Sequence, residues 1–145
     1  MKEIHVIKRS GEKTPLDLDK IHAMAEHACR GLAGVSESQV EMNANLQFFD
    51  GIKTSDIQEI LIRSANDLIS LESPNYQFVA ARLLLFSLRK AVYNGHPDGH
   101  PPLLEHVKKC VDLGVYDDGI LSKYSEEEWE KLNSFMDHDR DYLFT

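Results

Sequence analysis

Residues 8–21 read KRSGEKTPLDLDKI, and the order of structural signals along them decides the fold. Two short strand-like runs, 4–8 and 13–17, flank Ser10-Gly11. Glycine takes the positive φ of a tight turn without strain, so the pair predicts a β-hairpin. Pro15 has no backbone donor, which suits an edge strand. Asp17 is a good N-cap, so a helix should begin directly after the hairpin. The tetrapeptide Gly11-Glu12-Lys13-Thr14 resembles the end of a phosphate loop, but the spacing fails. Such a loop needs G-x-x-x-x-G-K-[ST] between a strand and a helix. Here glutamate precedes Lys13, no glycine stands five residues earlier, and Pro15 follows at once.

Outward from this segment the chain is mainly helical. Leu18, Ile21, Ala25, Ala28, Cys29 and Leu32 share one face of the first predicted helix, which Gly31 and Gly34 end. Ser36 caps a second helix, with Gln39 at the capping-box position. FFDGIKTSDI breaks that helix; Asp50-Gly51 reads as a turn and GIK as a short strand. Thr54 or Ser55 is the expected cap of a third helix, with Ile57, Ile60, Leu61, Ser64 and Leu68 facing inward. Pro74 opens a fourth, apolar almost all round, which should be the most buried. NGHPDGHPP, residues 94–102, reads as a linker. Helices near 102–113 and 125–136 follow, the latter with a capping box at Ser125 and Glu128.

The totals fit one domain or a domain with an extension. The chain has 145 residues, 42% of them hydrophobic and 28% charged. A net charge of −8 argues against general nucleic-acid binding. That charge is uneven: residues 1–20 hold five Lys/Arg against four Asp/Glu, while 102–145 hold five against eleven. An anion is least repelled at the start of the chain. No apolar run approaches the ~18 residues of a membrane span, and the opening residues lack a secretory signal. Cys29 and Cys110 are expected as buried, reduced thiols of a cytoplasmic protein.

The basic residues supply the candidate site. Lys8 and Arg9 end the first strand, Lys20 lies in the first turn of helix one, and Lys90 falls near the end of helix four. Helix N-termini carry unpaired N–H groups that favour phosphate. Together these four side chains are candidates to surround a triphosphate; the competing reading is ordinary solvated surface charge.

VIKRSGEKTPLDLDKI, FFDGIKTSDIQEILIRSANDLIS and PNYQFVAARLLLFSLRKAVYNG together resemble the ATP-cone, the N-terminal regulatory domain of the class I ribonucleotide reductase large subunit. The resemblance continues through LLEHVKKCVDLGVYDDGILSKYSEEE and DHDRDYLFT, similar to the lead-in to that enzyme's catalytic barrel. It implies a four-helix bundle capped by a small three-stranded sheet, followed by an α-helical extension. The expected division is a cone at 1–95, a linker at 96–101 and a helical lead-in at 102–145. It also implies that ATP, or dATP as the inhibitory form, binds with Mg²⁺ beneath the sheet as an allosteric effector. The implied partners are the rest of the large subunit and the radical-generating small subunit, in an oligomer.

By motif, the resemblance assigns nucleotide contacts to Val6, Lys8, Arg9, Thr14, Asp17, Lys20, Ile21, Thr54, Ile57, Gln58 and Lys90. Asp17 falls near the adenine, where relatives often carry Asn, so capping and base reading compete for it. Gln58 replaces a His linked to dATP inhibition in many members, and Thr14 replaces an acidic residue that helps to read the base. The resemblance therefore carries binding further than inhibition. Some relatives hold two nucleotides, and His27, Phe86 and Ser87 match the positions involved. No catalytic residues are implied, so the segment should not turn over alone.

Three other readings remain. A free-standing nucleotide-sensing regulator needs a zinc ribbon with CxxC pairs, which this sequence lacks. A helical interaction module without ligand fits the amphipathic stripes equally well. A metal site at His96, Asp98 and His100 has the donors but lies in a flexible Gly/Pro segment; HDRD at 138–141 reads as a helix end.

Overall fold

The computed structural model of the chain describes residues 3–94 and 99–144. Its elements are β1 (His5–Ile7), β2 (Lys13–Pro15), α1 (Leu18–Cys29), α2 (Glu37–Asn45), β3 (Ile52–Lys53), α3 (Thr54–Asp67) and α4 (Tyr76–Tyr93). Beyond these lie α5 (Leu103–Asp112), the short α6 (Gly119–Ser122), α7 (Glu126–Ser134) and a 3₁₀ helix, His138–Leu143. The fold is mainly α, with a small sheet on a four-helix bundle and a helical extension, as the sequence predicts.

Two compact units emerge, Met1–Leu88 with Asp141–Thr145, and Arg89–Arg140. Helix α4 runs through the first boundary without a break, and the segment from Asp141 groups with the first unit.

In the first unit the hairpin forms as its residues dictate. Gly11 has φ +84°; its N–H donates to Lys8 O at 2.8 Å, and Lys8 N–H donates to Glu12 O at 2.9 Å. The sheet order is β2-β1-β3, so Pro15 sits on an edge strand. Strand β1 pairs antiparallel with β2, Val6 opposite Thr14, and parallel with β3, Val6 beside Ile52. Strand β3 is pinned by a clasp around His5. The Asp50 Oδ1 accepts from His5 N–H at 2.8 Å, and Gly51 N–H donates to His5 O at 2.8 Å. Chiefly that His5 N–H holds the Asp50 carboxyl below the usual carboxylate range.

Because β2 feeds α1 and β3 feeds α3, the register sets where the two helices start. Helix α1 begins beyond the His5–Pro15 end of the sheet, and α3 begins at the Ile7–Lys53 end. Beneath lies one apolar cluster that includes Val6, Ile21, Val40, Ile52, Ile57, Leu61 and Val79. Ser64 is polar yet buried there, and its hydroxyl donates to Val40 O at 2.8 Å.

Several expectations are corrected. Neither Thr54 nor Ser55 caps α3: Lys53 is the N-cap residue and supplies no side-chain bond. Thr54 is already helical because β3 runs straight into the helix. Leu18 is exposed, since the first turn of α1 stands beyond the sheet. Gln39 does not complete a box at Ser36; the Ser36 Oγ accepts from Gln39 N–H at 3.4 Å, while the Gln39 Oε1 accepts from the Tyr76 hydroxyl at 3.1 Å. Helix α4 is not uniformly buried: Tyr76, Val79, Arg82 and Leu83 are, but Leu84 and Leu88 are 56% and 57% exposed. Only one of its faces meets the core, and its apolar composition concealed which. Cys29 is buried, and burial pushes its thiol up to about 11. Cys110 is only half-buried and stands 3.5 Å from the His106 Nε2.

Helices α1 and α2 are also clasped at the surface, where the His22 Nδ1 lies 2.7 Å from the Glu41 Oε1. That hydrogen bond is the main cause that raises the His22 pKa, and Glu26 and Glu37 add to it. A raised folded-state value means the pair stabilises the fold fully below the ordinary imidazole range. This contribution is lost as pH rises through the elevated folded value. An NMR titration should find His22 above the 6.5 of a free imidazole. Glu41→Gln should bring it down; no change on that substitution would refute the assignment.

In the second unit, Ser125 and Glu128 form the expected capping box on α7; HDRD, residues 138–141, lies in the 3₁₀ helix. A cleft of about 210 Å³ between α5 and α7 is lined by Pro102, Leu103, Leu104, Glu126, Trp129, Glu130 and Asn133. Its two glutamates make it a poor place for an anion. Among the described residues, no helix is long and apolar enough to cross a membrane.

Candidate functional site

Val6 is the pivot of the site. It is buried, with Thr14 across one strand pairing and Ile52 across the other. Ile21 and Ile57, from the first turns of α1 and α3, join it in the same apolar cluster. Three sequence-predicted residues, Val6, Ile21 and Ile57, are thereby brought together as a floor. Thr14 is half-buried on β2, on the strand that leads into Asp17.

The polar groups stand at both ends of this floor. At the Ile7–Lys53 end, Lys8 and Arg9 leave β1 exposed to solvent. The Lys8 Nζ lies 3.3 Å from the Glu12 Oε2, a pair open to water and therefore weak. The α3 N-terminus begins at the same end without a side-chain cap, in contrast to α1, α2 and α7, which Asp17, Ser36 and Ser125 cap. Unpaired N–H groups and two cations at one end of a sheet make an anion-attracting corner.

At the other end, Asp17 does more than cap. Its Oδ1 accepts from Asp19 N–H at 3.1 Å and from Lys20 N–H at 3.3 Å. The Oδ2 lies 3.7 Å from the Lys20 Nζ. Capping thus engages one carboxylate oxygen, and the second pairs with the Lys20 ammonium. Lys20 itself is exposed.

Thr54 and Gln58 lie one turn apart on α3. Thr54 is half-buried, and Gln58 is 9% exposed. Its carboxamide is not among the buried side-chain polar groups left without a hydrogen bond, which among the described residues are the His106 Nδ1 and the Trp129 Nε1. Sequence patterning placed the α3 stripe at Ile57, Ile60, Leu61, Ser64 and Leu68 and gave no burial signal for Gln58. Its polarity hid it from any search for an apolar face.

Lys90 is not gathered with these residues in one compact unit. It lies exposed in the last turn of α4, in the second unit. Phe86, matched by resemblance to a second nucleotide position, packs edge-on against Tyr142, with ring centroids 6.4 Å apart. Of the suggested metal ligands, His96 and Asp98 lie outside the described residues. His100 stacks on His138 with centroids 3.5 Å apart. Among the described residues, no group of three or more His, Cys, Asp or Glu is placed to hold a metal.

A strand ending in two cations, a helix start with a capping aspartate, and a short strand running into an uncapped helix occur within one contiguous block. The model of the ATP cone domain family matches that block, residues 4–91. The chain belongs to the ATP-cone family.

Relatives carry the similarity beyond the cone. The alpha subunit of ribonucleoside-diphosphate reductase 1 from Escherichia coli is 49% identical over 140 residues, 97% of this chain and 18% of the relative. The alpha subunit from Haemophilus influenzae is 49% identical over 144 residues, 99% of this chain and 19% of the relative. That of enterobacteria phage T4 is 42% identical over 147 residues, all of this chain and 19% of the relative. The chain spans about a fifth of the length of these curated relatives.

Proposed function

We propose that this chain is the adenine-nucleotide-sensing regulatory domain of a class I ribonucleotide reductase large subunit, acting in the cytoplasm in deoxyribonucleotide synthesis. The observation that carries the reading is the corner built by Lys8, Arg9 and the uncapped α3 N-terminus, set over the Val6–Ile21–Ile57 floor. Membership in the ATP-cone family supports adenine nucleotide as the ligand class. The names of the relatives support the reductase.

In this reading the triphosphate lies towards Lys8 and Arg9, and Mg²⁺ accompanies it and screens its charge. Lys20 adds a cationic contact. Thr14 and Asp17 face the adenine, where a carboxylate accepts from the exocyclic amine. Thr54 and Gln58 approach the sugar, the part in which ATP and dATP differ by one hydroxyl. A site distinguishes such a pair by leaving a polar group unpaired in one complex. Regulation follows only if ATP and dATP favour different states of the domain, by ~1–3 kcal/mol. Those states would differ in the face offered to the rest of the large subunit and to the radical-generating small subunit, and so in oligomeric state. The residues around the corner form no base–nucleophile pair, so the nucleotide is sensed and not hydrolysed.

Calorimetric titration tests the proposal. ATP and dATP should each bind with Kd in the micromolar range, roughly −8 kcal/mol. Lys20→Ala should weaken both. Gln58→Leu, which keeps volume and removes the carboxamide, should also weaken both. GTP binding as tightly as ATP would sink the adenine reading. The exposed Leu84 and Leu88 on α4 favour a second reading, a helical interaction module without ligand. Under it, ATP leaves the melting temperature unchanged, whereas a bound nucleotide raises it.

A further inference from the structure

Arg82 is buried, at 8% exposure, on the core-facing side of α4. Its Nη1 donates to Ala28 O at 3.2 Å and to Arg30 O at 2.8 Å. Its Nε donates to Tyr142 O at 3.2 Å. The Tyr142 ring adds a cation–π contact, its centroid 5.7 Å from the Arg82 Cζ, and meets Phe86 edge-on. All three hydrogen bonds of this buried guanidinium therefore end on main-chain carbonyls. Two of these belong to the C-terminal end of α1, where carbonyls lack helical partners and a positive charge is favourable. The third belongs to residues 141–144, a strap that returns to the first unit from far along the chain.

Helix α1 is thus held at both ends by different machinery. Its cap and first turn carry Asp17 and Lys20 of the candidate site, and its last carbonyls are tied by Arg82. A 12-residue helix moves as a rod, so a displacement at one end reaches the other. Burying an arginine is costly, and an apolar side chain of similar volume often serves packing as well or better. The charge serves instead the main-chain carbonyls that Arg82 joins, those of α1 and that of the strap.

We propose that Arg82 couples the nucleotide site to the strap at 141–144, so that ATP at the start of α1 and docking of Tyr142 on α4 favour each other. The inference rests on the nucleotide reading above. Coupling of this kind is reciprocal: what ATP does to the strap, the strap does to ATP affinity. The state of the site would in this way reach the segment 141–144.

The test uses the full 145-residue chain and ATP as the probe. In the wild type, ATP should slow amide exchange at 142–144, where Phe144 N–H donates to Asp141 O at 3.2 Å. Tyr142→Ala removes the ring contacts and leaves the candidate site intact; it should weaken ATP binding by about five-fold. Arg82→Lys keeps the charge but cannot span both carbonyl sets, and it should act in the same direction. Should Arg82→Lys fail to fold, Tyr142→Ala decides alone. A folded Tyr142→Ala protein that binds ATP within twofold of wild type, or more tightly, overturns the coupling and leaves the nucleotide reading standing. No ATP binding by the wild type overturns both.

Discussion

Replacing Lys8 and Arg9 together by alanine should weaken ATP binding by roughly thirty-fold, about 2 kcal/mol. Both side chains are exposed at the end of β1, so each contact with phosphate is partly screened and contributes about 1 kcal/mol. Wild-type affinity should fall as salt is raised, and that slope should flatten in the double variant. Stability should barely change, because the Lys8–Glu12 pair it removes is open to solvent. The two readouts separate the roles. A large loss of melting temperature would mean that the hairpin needs these residues to fold. Unchanged affinity in a folded double variant would remove the phosphate corner, and with it the proposed function.

Arg82→Ala should have the largest effect on stability. Three carbonyl acceptors lose a charged donor, and an aliphatic stem leaves the core. Leaving such groups unpaired costs about 3 kcal/mol in all. At roughly 2–4 °C per kcal/mol for a chain of this size, the melting temperature should drop by about 10 °C. Arg82→Met restores much of the stem's packing without the charge and should recover part of the loss. Differential scanning calorimetry of the three proteins gives the answer. An Arg82→Ala chain that melts within about 2 °C of wild type would show the clamp to be energetically idle.

The hairpin shows how far local signals reach. Gly11, Pro15 and Asp17 each act through their own backbone preference within a few residues. The turn, the edge strand and the cap of α1 follow from the sequence directly. The cap of α3 does not: Thr54 and Ser55 have the right chemistry, but β3 pairs with β1 and carries the chain straight into a helix. A strand pairing between residues some 45 positions apart overrides a local propensity. For the same reason no periodicity marks Gln58 as buried, because its burial depends on how the floor and α3 meet.

Much of the candidate site was likewise legible as a set of residue types but not as a place. The amino-acid sequence determined the mainly helical class, the β cap, the cations at positions 8, 9 and 20, and membership in the cone family. Each of these depends on residues close together in the chain or on a pattern that survives in linear form. Tertiary structure alone decided that α3 starts uncapped beside the Lys8–Arg9 end, that the second Asp17 oxygen pairs with Lys20, and that Arg82 is a clamp. An arginine in an apolar helix reads as a surface charge until the carbonyls of Ala28, Arg30 and Tyr142 are seen around it. Those acceptors come from remote parts of the chain, and only packing brings them within reach of one guanidinium.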